Sequence, residues 1–163
     1  MKSSKILIIA GLILILAVST AYALNCNVSF TSVLRTDMSG YGQANDWVID
    51  NQADFCEFWN RAHALMFPAP PCPEIDFSQY VIIVTAMGRQ RNGCYNTEIY
   101  CIEEDQQGNY TVYVRDTIPG KGCFCPMMIV APVHAVKAPI PAGTVTFSHT
   151  QFVMQCGGGP GWK

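Results

Sequence analysis

Eight cysteines constrain this chain more than any other feature: Cys26, Cys56, Cys72, Cys94, Cys101, Cys123, Cys125 and Cys156. An even count in an exported chain reads as a disulfide framework. Eight cysteines allow about a hundred complete pairings, and spacing alone does not choose among them. One pairing is disfavoured locally. Cys123 and Cys125 are separated by a single residue, so a bridge between them closes too small a ring, and each is expected to pair elsewhere.

The export reading comes from the first 23 residues. Lys2 and Lys5 precede an apolar run from Ile6 to Val18, interrupted by Gly11, and Ala21-Tyr22-Ala23 follows as a small-residue cleavage pattern. That order is the one a secretory signal peptide has, and the run is short for a membrane-spanning helix. Two alternatives remain open: retention of residues 1–23 as a membrane anchor, and a lipid anchor on Cys26. Cleavage after Ala23 removes two lysines and takes the net charge from −2 to about −4. A mildly acidic chain without a Lys/Arg cluster excludes nucleic acid as a natural partner, and it leaves a membrane role only to an uncleaved N-terminal segment. A secreted, periplasmic or cell-surface location is expected, with residues 24–163 forming one domain.

Local patterns give an α+β class. Gln52 to Met66 places Phe55, Phe58, Trp59 and Ala62 on one helical face, with Asn51 as N-cap and Asp54 in the first turn. Four prolines between Phe67 and Pro73 end that helix. Strands are expected at Asn27–Leu34, Trp47–Ile49, Tyr80–Met87, Cys94–Glu103, Asn109–Arg115, Met128–Lys137 and Thr144–Val153. The run Tyr80–Met87 is almost unbroken in its apolarity, which predicts a central strand buried on both faces. The expected architecture is one amphipathic helix packed on a twisted antiparallel β-meander or partial barrel, stapled by disulfides.

From Trp47 to about Pro141 the order of features resembles the PrcB C-terminal domain family, named for a subunit of a bacterial surface protease complex. The similarity rests on the helix bearing Phe55, Phe58 and Trp59, on Ile75-Asp76-Phe77-Ser78, and on the strand Tyr80–Met87 with Gly88. It continues through Gly93 with Tyr95, Ile118-Pro119-Gly120 and Ala131-Pro132-Val133-His134-Ala135-Val136. Cys94 stands where the family pattern has glycine, and the family is not cysteine-rich. The resemblance implies an exported domain that assists or stabilises a partner protein, and it carries over no catalytic residue.

Candidate chemistry is sparse. Cys123, Cys125, His134, His149 and Cys156 could together ligate zinc, or a cysteine could act as nucleophile with His134 or His149 as base. Neither has a supporting local motif, so no catalytic residue, metal or cofactor is assigned. His63 reads as a surface or packing residue. Glu103, Glu104 and Asp105 read as a solvated turn, and Gly157-Gly158-Gly159 lacks the helix and Lys-Ser/Thr pair of a phosphate loop. Asn27-Val28-Ser29 and Asn109-Tyr110-Thr111 are glycosylation sequons, with Asn109 expected to be accessible beside its turn.

The sharper expectation concerns one end of the hairpin. If Asp105 faces Asn109, Cys94 falls opposite about residue 120, which predicts a bridge Cys94–Cys123 with Cys94–Cys125 as its competitor. Either bridge gathers Arg89, Arg91, Lys121, Phe124 and Met127 on a stapled loop, a composition suited to binding a protein partner, a protease among the candidates. A proteinase inhibitor using loop 118–126 as bait is the rival function.

Overall fold

The computed structural model describes residues 24–156. The proposed signal peptide and the glycine-rich tail lie outside the described residues. Seven strands and one helix follow in the order β1 (Thr31–Thr36), β2 (Ala44–Ile49), α1 (Gln52–Ala62), β3 (Tyr80–Met87), β4 (Asn96–Glu104), β5 (Tyr110–Pro119), β6 (Val133–Pro139) and β7 (Val145–Met154).

The uninterrupted apolar run of β3 explains the layering. Its odd residues Val81 and Ile83 join one core cluster, while Ile82, Val84 and Ala86 join another. Alternate side chains of a strand point to opposite faces, so β3 is covered on both sides. On one side lies α1, which buries Phe55, Phe58 and Ala62. On the other lies a second sheet, contributing Ile99, Ile102, Val112 and Val114. The domain therefore has three layers: helix, four-stranded sheet β1-β6-β3-β2, and three-stranded sheet β4-β5-β7. The α+β class, with one helix on a twisted antiparallel sheet held by four disulfides, is what the structure shows.

The strand order departs from a meander. After β5 the chain crosses into the first sheet as β6, pairing antiparallel with both β3 and β1. It then returns as β7 beside β5, in parallel, from Tyr110↔Val145 to Pro119↔Met154. Hydropathy marked the strand near Thr144–Val153 but carries no information on its direction.

Helix α1 is capped as its sequence requires. The Asn51 side chain accepts from the Asp54 backbone N–H at 2.9 Å. The helix stops at Ala62 rather than Met66. His63 Nδ1–H donates to the Trp59 carbonyl at 2.8 Å, and its ring packs at a tilt against Trp59 with centroids 4.4 Å apart, so His63 is a packing residue. The Arg61 carbonyl accepts the Gly40 N–H at 3.1 Å, and a Cβ on Gly40 would lie 2.6 Å from that oxygen, so only glycine allows this approach. The first strand also starts later than its alternation suggests. Residues 25–28 run beside β4 instead: Asn27 Nδ2 donates to the Glu104 carbonyl, its Oδ1 accepts the Glu104 N–H, and Val28 N–H donates to Ile102. The other sequon asparagine is likewise engaged. Asn109 is half-buried, its Nδ2 donating to Asp105 and its Oδ1 accepting from Thr144.

All eight cysteines are paired: Cys26–Cys101, Cys56–Cys72, Cys94–Cys125 and Cys123–Cys156. The expected Cys94–Cys123 bridge is corrected to its competitor. The cause is β7. Running alongside β5 to Pro119↔Met154, it delivers Cys156 to Cys123 and leaves Cys125 for Cys94.

Candidate functional site

The end of the molecule beyond β3, β5 and β7 is irregular in backbone yet heavily fastened. Gln90 and Val130 exchange backbone hydrogen bonds at 2.7 and 3.0 Å, and Gly93 N–H donates to the Pro126 carbonyl at 3.0 Å. The Cys94–Cys125 bridge lies just beyond. Gly120 N–H donates to the Met154 carbonyl, and Cys123–Cys156 closes that side. Thus the connection bearing Arg89 and Arg91 lies against residues 126–130, and Phe124 is held between two bridged cysteines.

On this frame Phe124 and Met127 are 102% and 96% exposed. Arg89, Arg91 and Lys121 are exposed as well. Leaving large apolar side chains in water forgoes the stabilisation of burial, and a cluster of them on a rigid base is the usual composition of a contact surface. Met128 and Ile129, also exposed, extend this run of apolar side chains along the loop. Apolarity predicts a strand from Met128, but β6 begins only at Val133. Pro126 ahead of the apolar run was the available signal. A second exposed group, Leu65, Met66 and Phe67, occupies the link after α1, where helical spacing predicts burial of Leu65 or Met66.

Cys123, Cys125, His134, His149 and Cys156 do not form a ligand set. Cys123, Cys125 and Cys156 are in disulfides, and the two histidines are engaged elsewhere. Among the described residues no group of His, Cys, Asp and Glu is arranged to hold a metal ion. Nor is any helix among them long and apolar enough to cross a membrane.

Both histidines join the two sheets. Buried His134 on β6 accepts the Ile99 N–H of β4 on Nδ1 at 2.9 Å, at the bulge between Ile99 and Cys101, and its Nε2–H reaches Ser32 Oγ at 3.0 Å. An acceptor Nδ1 requires the neutral ring. Burial, reinforced by the Arg35 charge, pushes its pKa down to about 4, against a weaker opposing pull from Glu98.

His149 on β7 is held the opposite way. Its Nδ1 lies 2.7 Å from Asp116 of β5 and its Nε2 2.8 Å from Asp46 of β2. Thr97 Oγ1–H donates to the other Asp116 oxygen at 2.7 Å. Partial burial disfavours the charged ring, but hydrogen bonds and charges from Asp116 and Asp46 outweigh it and raise the pKa.

The linkage signs are opposed. His134, with its folded pKa depressed, contributes stability above the unfolded value of 6.5 that is lost as pH falls towards about 4. His149, with its folded pKa raised, contributes stability below 6.5 that is lost as pH rises through its folded value. Urea midpoints measured across pH are therefore expected to peak near 6.5. The His149→Asn variant should lose the alkaline decline and keep the acid one. An alkaline limb unchanged in that variant would show that the clasp between β2, β5 and β7 is not the source.

The chain matches no protein-family model, no curated protein and no solved structure.

Proposed function

We propose that this chain is an exported, non-catalytic accessory domain that binds a partner protein through its stapled loop end. The reading rests on one observation above others: Phe124 and Met127 are fully exposed on a loop pinned by two disulfides, beside Arg89, Arg91 and Lys121. A loop already fixed by Cys94–Cys125 and Cys123–Cys156 loses little conformational freedom on binding. Aromatic and arginine side chains at the centre of such a surface carry most of the affinity. The resemblance to the PrcB C-terminal domain family makes a surface or secreted protease the first partner to test.

A photo-crosslinking residue placed at Lys121 should capture one defined partner from the native exported fraction. The double change Phe124→Ser, Met127→Ser should weaken that capture by at least about ten-fold, since a central hot spot contributes about 2 kcal/mol or more. Undiminished capture in the double variant assigns binding to another surface and sinks this reading. The position of Phe124 between two bridged cysteines also favours a second reading, a proteinase inhibitor with loop 118–126 as bait. Inhibition of a chymotrypsin-like protease that disappears in Phe124→Ser would select it.

A further inference from the structure

The four-stranded sheet ends at β2, which has no neighbour on its outer edge among the described residues. The backbone groups along such an edge can pair with a further strand. Of the other edges, β1 is bulged between Ser32 and Leu34, β4 is bulged between Ile99 and Cys101 and partly covered by residues 25–28, and β7 is as regular as β2 but lies in the sheet away from α1. β2 pairs regularly along its whole length and contains neither proline nor lysine.

A wall stands beside this edge. Helix α1 leaves β2 through Asp50 and Asn51, folds back over the sheet, and presents Asp54, Glu57, Phe58 and Arg61 towards the strand. Their spacing is that of one helical face. Between wall and strand runs an open groove of about 830 Å³. Its apolar base is Trp47 against Tyr41 and Phe58, with ring centroids 5.1 and 6.0 Å away. Arg61 is already engaged at the Tyr41 end, 4.6 Å over that ring. Asp54 and Glu57 are both exposed, so the remaining charge offered to an occupant is negative.

We infer that this groove binds an extended peptide segment of a partner protein, which adds to β2 as a fifth strand and directs a lysine or arginine towards Asp54 and Glu57. The backbone ladder supplies affinity without regard to sequence. The alternation of a strand supplies selectivity, because every second side chain of the peptide meets the aromatic base or the acidic wall. Trp47 and Asn45 lie on the helix side of β2, since Trp47 pairs with Val84, which packs in the helix-side core. An apolar side chain over Trp47 with a basic one two residues away on the same face therefore fits. The groove is separate from Phe124 and Met127, and the inference does not depend on the stapled loop being an interface.

The test uses the disulfide-intact full chain and a short labelled peptide with threonine at every second position and valine, lysine, valine between. Fluorescence anisotropy should show binding, and amide resonances of Ala44–Ile49 should shift and gain exchange protection. Replacing the peptide lysine by glutamate, or N-methylating alternate peptide nitrogens, should each weaken binding at least about ten-fold. Glu57→Lys should do the same on the protein side. Asp54→Asn is the second variant, because Asp54 also takes part in the Asn51 cap. Phe124→Ser with Met127→Ser should leave peptide affinity unchanged. Affinity that survives both N-methylation and Glu57→Lys overturns the inference. So does concentration-dependent protection of β2 amides without peptide, which would make a second copy of this chain the occupant.

Discussion

Phe55→Ala is expected to lower the unfolding free energy by about 3–5 kcal/mol, the usual range for removing a fully buried aromatic side chain. Phe55 has no exposed surface and sits at the centre of the helix-side core. Its ring contacts Phe58, Trp59 and Phe77, with centroids 6.2, 5.8 and 6.2 Å away. These neighbours come from α1 and from the segment ahead of β3. The Cys56–Cys72 bridge holds helix and link together, so the surroundings cannot readily collapse into the space. A urea melt measures the effect. A loss below about 1 kcal/mol would mean that the layer repacks, in conflict with a rigid aromatic core. Trp59, the aromatic that stands out equally in the sequence, is only half-buried and anchors its Nε1–H on the Pro70 carbonyl at 3.1 Å. Trp59→Ala is therefore the milder change.

The second large effect is expected from Cys26→Ala with Cys101→Ala. That bridge spans 75 residues, against 16 for Cys56–Cys72. Cross-linking restricts the unfolded chain more as the closed loop grows, giving about 4 kcal/mol for the longer loop and about 3 kcal/mol for the shorter. Cys26–Cys101 also holds residues 25–28 against β4, where Asn27 bonds both backbone groups of Glu104 and Val28 enters the core between the sheets. Its removal should therefore loosen that segment as well. Urea melts of the two double variants provide the comparison. If losing Cys26–Cys101 destabilises no more than losing Cys56–Cys72, the bridge neither restricts the unfolded chain as argued nor secures the N-terminal segment.

Local chemistry made part of this architecture legible. Tyr80–Met87 could be bounded correctly as a strand because a strand covered on both faces is apolar at nearly every position, Thr85 being the polar exception. The start of α1 was legible because a cap needs one side chain of the right kind beside the first turn. The end of α1 was less so. Leu65 and Met66 fit the helical spacing, yet they are exposed, and the chain leaves the helix where His63 turns back onto the Trp59 carbonyl. The exposure of Arg89, Arg91, Lys121, Phe124 and Met127 was legible from their placement around cysteines and turn residues. Met128 and Ile129 were not, because apolarity in a short run describes a strand and an exposed loop equally well.

The α+β class, the identity of the central strand, the aromatic face of α1 and the presence of a disulfide framework could all be read before any fold was known. Each depends on residue type and on spacing within one segment. Tertiary structure alone decided the parallel return of β7, and through it the pairing of Cys123 with Cys156 and of Cys94 with Cys125. It alone set His149 between Asp46 and Asp116, and opened a groove between β2 and α1. These features depend on which distant segments become neighbours. That is settled by the covering of both faces of β3, a condition on the whole chain that no local window of residues contains.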